Sequence, residues 1–274
     1  MLEIMKMRQI PLITSRANEK LKFARRVRDG KEGGWIFVEG VRLSEEALRA
    51  RITVREAFVS SRAMANPRVR EILDSLRSAD ATEVADSIFD SIADTSEAQG
   101  IVLICGRPAA TQTEFEGRVR RAGITLLLHE VNNPSNLGAI FRTAEAAGVS
   151  GVITTQGSAD VFSPKALRAA MGANLRLPIW EKAERAAAFE WARKQGMLIT
   201  AADISAETSY TSIDWTRPRL LIFGSEAHGL DAETLKLVDE ITYIPMENGV
   251  ESLNLAVSSG ILLFEAKRQA DAGK

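Results

Sequence analysis

The second half of the chain alternates short, almost continuously apolar runs with segments of helical spacing. In the clearest run, Ile124–His129, the polar residues are Thr125 and the terminal His129. A strand this apolar is typical of the interior of a parallel sheet, because helices cover both of its faces. A helical segment and a second apolar run, Gly151–Thr155, complete a β-α-β unit with a right-handed crossover. These features predict an α/β domain built on a parallel sheet.

The first hundred residues alternate in the same way with shorter elements. Helices are predicted at 16–29, 39–50, 67–77 and 86–93, and strands at 35–38, 54–59, 82–84 and 101–105. The stretch 106–117 interrupts this periodicity with proline, glycine and small polar residues. We therefore predict a smaller N-terminal α/β domain at 1–106, a linker at 107–120 and the parallel-sheet domain at 121–274.

Composition narrows the cellular setting. Of the 274 residues, 45% are hydrophobic and 26% are charged, which is ordinary for a globular protein. No apolar run approaches the ~20 residues that a membrane span needs, and the N-terminus lacks the features of a secretory signal. The single cysteine, Cys105, lies in an apolar run and is predicted to be a buried structural thiol in a reducing cytosol. A cytoplasmic location is expected.

Basic residues concentrate near the N-terminus although the net charge is only −1. Between Arg16 and Lys31 there are seven basic residues and two acidic ones, on a predicted helix. Such a face can neutralise the phosphates of a nucleic acid. The alternative is a solvated amphipathic helix, with Leu21, Ala24 and Val27 as its buried stripe. The candidate residues for contact with nucleic acid are Arg16, Lys20, Lys22, Arg25, Arg26 and, further along, Arg42.

Three polar loops are predicted at the carboxyl ends of strands in the second domain, at 133–138, 224–230 and 246–252. In open α/β sheets, ligands bind beyond these strand ends. Asn136 and Ser252 precede helical segments, predicted at 137–147 and 252–267, and are predicted to be their N-caps. Asn254 falls inside the last predicted helix, where an amide is a mediocre helix former. Its presence there indicates a role at the site.

Several common site chemistries are excluded by motif. Neither a dinucleotide-binding glycine fingerprint nor a phosphate-binding loop occurs. The two histidines, His129 and His228, have no cysteine or carboxylate at metal-ligand spacing, so no metal is predicted. Ser225 does not fit the Gly-x-Ser-x-Gly pattern of a hydrolase elbow, because Ala227 lies two residues after it. The remaining Asn, Arg, Glu and Ser side chains suit the binding of a polar ligand and a hydroxyl, which favours group transfer.

Three stretches resemble the motifs of a known family. They are Asn133-Pro-Ser-Asn136-Leu-Gly-Ala-Ile-Phe-Arg142-Thr-Ala, Phe223-Gly-Ser-Glu226-Ala-His-Gly-Leu230 and Ile244-Pro-Met-Glu-Asn-Gly-Val-Glu-Ser252-Leu-Asn254-Leu-Ala-Val. Their order and spacing resemble those of the SpoU (TrmH-type) RNA 2′-O-ribose methyltransferases of the SPOUT superfamily. The stretch Phe37-Val-Glu-Gly-Val-Arg42 resembles the substrate-binding domain of this family, an RNA-binding α/β fold similar to that of certain ribosomal proteins.

The resemblance implies a deep trefoil knot in the C-terminal domain, with S-adenosylmethionine bound by the knotted loops. By motif, Gly224, Ile244 and Leu253 are expected to contact this cofactor, with Leu230 and Pro245 nearby. The resemblance also implies a homodimer formed through the C-terminal domain, whose paired C-terminal helices complete the sites.

The resemblance further implies methyl transfer to a ribose 2′-hydroxyl, with Arg142, Asn136, Glu226, Ser252 and Asn254 as the catalytic set. Arg142 either acts as the base or anchors a substrate phosphate, and anchoring is slightly favoured because a guanidinium stays protonated. Ribosomal RNA is the favoured substrate. The alternatives are a non-catalytic RNA-binding or ribosome-assembly protein, and a methyltransferase that acts on tRNA or confers antibiotic resistance through rRNA.

Overall fold

The computed structural model describes residues 10–76, 80–120 and 122–273, apart from the side chain of Asp80. The chain divides into two compact units between Pro108 and Ala109. Residues 1–9, for which no secretory signal is predicted, lie outside the described residues, as does the predicted helix end at Arg77. Among the described helices, none has both the length and the apolar character needed to cross a membrane.

The N-terminal unit is built on a five-stranded sheet in the order β1-β4-β3-β5-β2. Its strands are β1 (Leu12–Ile13), β2 (Trp35–Glu39), β3 (Val54–Ser60), β4 (Asp80–Val84) and β5 (Ile101–Gly106). Its helices are α1 (Glu19–Arg28), α2 (Val41–Arg49), α3 (Pro67–Ser75) and α4 (Asp86–Phe89), with a 3₁₀ turn at Ser61–Ala65. Because β2 and β3 both pair antiparallel with β5, they begin at the same edge of the sheet.

Helix α1 packs on this sheet through the stripe that its spacing predicts. Leu21, Ala24 and Val27 are buried in the core of the unit. At the far end of β2, the buried carboxylate of Glu39 accepts hydrogen bonds from the backbone of Asp94 (2.9 Å) and the hydroxyl of Thr95 (2.6 Å). This acid therefore orders a neighbouring loop.

Cys105 lies in β5 and is fully buried, as predicted. Burial raises the pKa of its thiol to about 12, because the thiolate would have no water around it. The thiol is therefore structural.

The C-terminal unit contains a seven-stranded sheet in the order β10-β12-β9-β11-β6-β7-β8, and all its pairings are parallel, as predicted. Its strands are β6 (Ile124–Leu128), β7 (Gly151–Thr155), β8 (Ile179–Ala183), β9 (Leu198–Ala202), β10 (Thr208–Ser209), β11 (Arg219–Phe223) and β12 (Glu240–Tyr243). Its helices are α5 (Gln112–Arg118), α6 (Pro134–Ala147), α7 (Pro164–Ala170), α8 (Ala173–Arg176), α9 (Arg185–Lys194), α10 (Ala232–Leu235) and α11 (Leu255–Ala272), with a 3₁₀ turn at Tyr210–Ser212.

The segment 107–120, predicted to be a linker, contains helix α5. Phe115 in this helix is fully buried in the core of the C-terminal unit, with its ring centroid 5.1 Å from that of Trp191. One buried aromatic residue, which contacts both Trp180 and Trp191, fixes the helix in place of a repeating apolar face. The absence of a repeat is why the sequence predicts a linker. Most of this segment is therefore part of the second unit.

A second difference concerns 176–179, which is predicted to be a strand. Arg176 ends helix α8, and strand β8 begins only at Ile179.

Helices α6 and α11 pack side by side and run in the same direction. Asn136 contacts Asn254 near their first turns, and Thr143 lies beside Gly260 two turns later. Both helices start at the carboxyl edge of the sheet, so their N-termini meet where the predicted loops emerge. The trefoil knot that the resemblance implies stays a prediction.

Candidate active site

A cavity of about 850 Å³ opens at the carboxyl ends of β9, β11 and β12. Its walls are formed by these strand ends, the loops that follow them and the first turns of α11. Its volume falls in the range of small-molecule and cofactor sites. Two of the three predicted loops, after β11 and after β12, therefore line one cavity.

The loop after β11 turns back on itself directly above the strand. Ser225 and Gly229 exchange two backbone hydrogen bonds, of 3.1 and 2.9 Å. A Cβ atom on Gly224 would lie 2.2 Å from the carbonyl carbon and oxygen of Gly229, which is closer than any real contact. Gly224 is thus required by the close approach of the two backbone segments, and the cavity wall is a tightly built turn.

Three side chains from three different segments form a hydrogen-bonded row. The amide nitrogen of Asn136 donates to a carboxylate oxygen of Glu226 (2.6 Å), and its amide oxygen accepts from the amide nitrogen of Asn254 (3.2 Å). We call this row the Asn254–Asn136–Glu226 network. It joins the beginnings of α6 and α11 to the loop after β11. Each of these residues was predicted to be catalytic.

The two predicted helix caps are wrong. The N-cap of α6 is Asn133, whose side chain accepts from the backbone of Ser135 (2.9 Å) and Asn136 (3.4 Å). Pro134 occupies the first helical position, so the helix starts earlier and Asn133 is the cap. The side chain of Asn136 is consequently available for the network.

The N-cap of α11 is Asn254 rather than Ser252. Its side-chain oxygen accepts from the backbone of Ala256 (2.9 Å) and Val257 (3.3 Å), while its nitrogen bonds Asn136. The side-chain oxygen of Asn254 therefore caps the helix, and its side-chain nitrogen belongs to the network. Ser252 is exposed, precedes the helix and lines the cavity.

Arg142 lies apart from this network. It is exposed on α6, two turns beyond Asn136, and it is not among the residues that line the cavity. Within the part of the chain that the structure describes, its guanidinium makes no hydrogen bond or ion pair. The chain thus brings four of the five predicted catalytic residues together and leaves the fifth charged and open to solvent.

Most of the residues predicted to bind the cofactor lie together in the cavity wall. Gly224, Leu230, Ile244 and Leu253 all line the cavity, whereas Pro245 is not among its described lining residues. Apolar side chains beside tightly turned backbone fit a ligand with an aromatic ring, a sugar and an amino-acid tail. The cavity therefore fits S-adenosylmethionine.

Sequence reasoning missed a further wall of the cavity, formed by Asp203, Ile204 and Ser205. They follow β9, and the carboxylate of Asp203 accepts from the backbone (2.9 Å) and the hydroxyl (2.7 Å) of Ser205. This loop follows the carboxyl end of a predicted strand, and that position could have identified it as part of the site.

His129 follows β6 directly, at the same edge of the sheet. Its ring nitrogen Nδ1 lies 3.0 Å from the hydroxyl of Thr155. Burial lowers the pKa of the imidazole, because its charged form loses hydration. Burial therefore favours the neutral form of the His129 side chain.

The predicted RNA-contacting residues of the N-terminal unit are largely engaged within that unit. Arg25 donates to the backbone oxygen of Arg16 (2.7 Å) and to the hydroxyl of Ser91 (3.3 Å). Three more of these residues form ion pairs, Lys20 with Glu56 (3.6 Å), Lys22 with Glu19 (2.7 Å) and Arg26 with Glu32 (2.7 Å). Arg16 donates to the backbone of Ser87 (3.2 Å), and Arg42 is exposed. The basic helix is therefore partly structural.

By fold and site, the chain is a two-unit α/β protein of the group-transfer class, with its ligand cavity at the carboxyl edge of a parallel sheet. It belongs to the SpoU rRNA Methylase family, whose family model matches residues 123–264. A second family model, the MRM3-like substrate binding domain, matches residues 18–103. The predicted family, the RNA methyltransferase class and the α/β fold are confirmed.

Relatives span nearly the whole chain. An uncharacterized tRNA/rRNA methyltransferase from Synechocystis is 32% identical over 95% of this chain and 94% of its own. The 23S rRNA (guanosine(2553)-2′-O)-methyltransferase RlmP of Bacillus subtilis is 29% identical over 93% and 98%. An AdoMet-bound rRNA methyltransferase structure from Sinorhizobium meliloti superposes with a TM-score of 0.84, at 28% identity, covering 94% of this chain and 98% of that one.

Proposed function

We propose that this protein transfers a methyl group from S-adenosylmethionine to a ribose 2′-hydroxyl of ribosomal RNA. The observation that carries the proposal is the Asn254–Asn136–Glu226 network, whose members Glu226 and Asn254 line a cofactor-sized cavity. Relatives named for ribose methylation of 23S rRNA support the substrate. We place the activity in the cytoplasm, where ribosomal RNA is found.

Gly224, Leu230, Ile244 and Leu253 would hold the cofactor, which supplies an electrophilic methyl group on a sulfonium. The ribose hydroxyl is a weak nucleophile, so the protein has to align it and stabilise the loss of its proton. Glu226 offers a carboxylate fixed by Asn136, and Ser252 and Asn254 offer donors at the same rim. These groups would orient the ribose. A requirement for the 2′-hydroxyl also selects RNA over DNA.

Arg142 would anchor a phosphate of the substrate next to the reacting ribose. Its exposed guanidinium has no internal partner among the described residues, so it is free to form the bidentate pair with phosphate that arginine favours. The other possibility, that Arg142 acts as the base, requires deprotonation of a guanidinium. The anchoring role is the simpler one.

A homodimer through the C-terminal domain is part of the proposal. On α11, Val257 and Phe264 are 51% and 50% exposed, and Leu253 just before the helix is 37% exposed. A spacing of seven residues, about two turns, places Val257 and Phe264 on one face of α11. A second copy packed against this face would bury it, and would add side chains to each cavity.

We expect the double variant Val257→Lys and Phe264→Lys to be monomeric and to have lost methyl transfer. Two charges buried at a symmetric interface would each lack a partner. Light scattering after gel filtration gives the mass, and a tritium-transfer assay gives the activity. Leu237→Lys, which changes another exposed apolar residue (47% exposed), is the matched control and should leave both unchanged. A double variant that stays dimeric would refute this interface.

Cofactor binding is tested with Gly224→Ala. The added methyl group would overlap the backbone of Gly229, so the cavity wall has to shift and the affinity for S-adenosylmethionine should fall by about 10- to 100-fold. Isothermal titration measures this directly. Gly260→Ala is the matched control, since its nearest neighbour would be Thr143 at an ordinary 3.6 Å. Equal affinities in both variants would contradict the assignment of the cavity.

Activity and assembly roles are separated by mapping ribose methylation. Ribosomal RNA from cells with and without this protein should differ at one or a few 2′-O-methylated nucleotides. Identical maps, together with no binding of S-adenosylmethionine, would replace the proposal with a non-catalytic role in ribosome assembly.

A further inference from the structure

Two aromatic rings and an arginine form a cluster on the N-terminal unit, at the edge of the sheet where β2 and β3 begin. The rings of Phe23 and Trp35 meet edge to face, with centroids 6.2 Å apart. The guanidinium carbon of Arg55 lies 4.6 Å from the centroid of Phe23 and 4.8 Å from that of Trp35. We call these three residues the aromatic–arginine cluster.

The cluster is both firmly supported and open to solvent. Phe23 and Trp35 are partly buried and pack against the core of the N-terminal unit, which holds the rings in place. The side chain of Arg55 remains 47% exposed. A flat, cationic group backed by two rings therefore faces the solvent, and unpaired RNA bases stack on such surfaces.

The charges around the cluster also favour a polyanion. The guanidinium of Arg26 lies 5.7 Å from the ring of Phe23, and Arg51 is exposed on the turn that leads into β3. Four cations, Lys20, Arg26, Arg51 and Arg55, stand against two acids, since Glu32 pairs with Arg26 (2.7 Å) and Glu56 lies 3.7 Å from Arg55 and 3.6 Å from Lys20. These six residues together keep a net charge of +2. Phosphates flanking a stacked base would therefore meet positive charge.

We propose that the aromatic–arginine cluster stacks an unpaired base of the RNA substrate, an inference that rests on the proposed function. The site is distinct from the stretch that resembles the family's substrate-binding motif. That stretch begins at Phe37, two positions along β2 from Trp35, but its charged residues lie further away: Glu39 is four positions, or about 13 Å, from Trp35 at the far end of β2, and Arg42 lies beyond it in α2. The cluster thus adds a second contact with RNA on the same unit.

The arrangement of tryptophans supplies a direct probe. Trp180, Trp191 and Trp215 are buried, whereas Trp35 is partly exposed. Stacking of a base on the cluster should quench Trp35 emission in the full-length protein. The ligand used would be a nine-nucleotide oligouridine, compared with an abasic ribose-phosphate chain of the same length. Quenching is expected with oligouridine and not with the abasic chain, and Trp35→Phe should remove it.

Affinity is measured on a variant that leaves the rings in place. Arg55→Gln should weaken oligouridine binding by about 5- to 100-fold, the loss typical of one stacked base, and should leave abasic-chain binding within about twofold. Arg68→Gln is the matched control, since Arg68 is an exposed arginine of the same unit paired with Glu45 (2.7 Å), and should bind oligouridine as the native chain does. Circular dichroism confirms that each variant is folded.

The outcomes separate this inference from the function on which it rests. A protein that methylates rRNA, yet shows neither quenching by oligouridine nor an effect of Arg55→Gln, overturns the stacking site and leaves the proposed function intact. A protein that stacks oligouridine but neither binds S-adenosylmethionine nor methylates RNA retains the stacking site and overturns the proposed function.

Discussion

Arg142→Ala is expected to lower methyl transfer by at least ~100-fold. The affinity for S-adenosylmethionine should stay within about twofold, because Arg142 does not line the cavity and makes no contact with the Asn254–Asn136–Glu226 network. The loss falls on the step that needs a phosphate and a ribose held in register. Single-turnover transfer to rRNA and cofactor titration measure the two quantities separately.

Arg142→Lys distinguishes the anchoring role from the role of base. A lysine keeps the positive charge but loses the bidentate geometry of the guanidinium, so an anchor should retain part of the rate and the native pH profile. A base would change the pH at which the rate rises, because an ammonium loses its proton more readily than a guanidinium. Arg142→Ala with native activity would remove Arg142 from the mechanism altogether.

Glu240→Leu is expected to destabilise the C-terminal unit by about 3 kcal/mol, the lower end for a broken buried pair. Its partner Arg219 is fully buried at the start of β11 and pairs with this carboxylate. The guanidinium also donates to the hydroxyl of Thr200 (2.6 Å) and the backbone of Asp214 (2.5 Å), and it lies 5.4 Å from the ring of Trp215. Without Glu240, this charge would keep only neutral partners.

The expected loss lies at the lower end of the range for buried pairs because the side chain of Glu240 is 35% exposed. Chemical denaturation followed by tryptophan emission measures the loss, since Trp180, Trp191 and Trp215 all lie in the C-terminal unit. Glu233→Leu is the matched control. Glu233 pairs with Lys236 (2.8 Å) on the surface, and a surface pair contributes little. Similar denaturation midpoints for the two variants would show that Arg219 does not depend on its counter-ion.

The sequence predicted which strands and residues form the site better than it predicted the hydrogen bonds that those residues make. The apolar runs placed β7 at its observed residues and β6 to within one residue, because a strand covered on both faces has to be apolar along its length. The motifs then named Asn136, Glu226 and Asn254. The caps of α6 and α11 were wrongly assigned to Asn136 and Ser252, since several neighbouring polar residues could fill each cap.

The division of the chain into units also depends on contacts that the sequence alone does not reveal. The stretch 107–120 carries no repeating apolar pattern, and the sequence alone gives no sign that Phe115 finds a buried place beside Trp191. The aromatic–arginine cluster was likewise hidden, because Phe23, Trp35 and Arg55 belong to three separate elements. The pairing of β2 and β3 with β5 brings Trp35 and Arg55 to one edge, and the packing of α1 on the sheet adds Phe23.

The sequence by itself determined the α/β class, the parallel sheet of the second unit and the residue types at its carboxyl edge, because these follow from local hydrophobic spacing and from short motifs. The tertiary structure decided which of those residues act together. Asn136 meets Glu226 and Asn254 across 90 and 118 positions of the chain, and Arg142 faces solvent rather than this network. Contacts over such separations depend on strand order and helix packing, which local spacing does not encode.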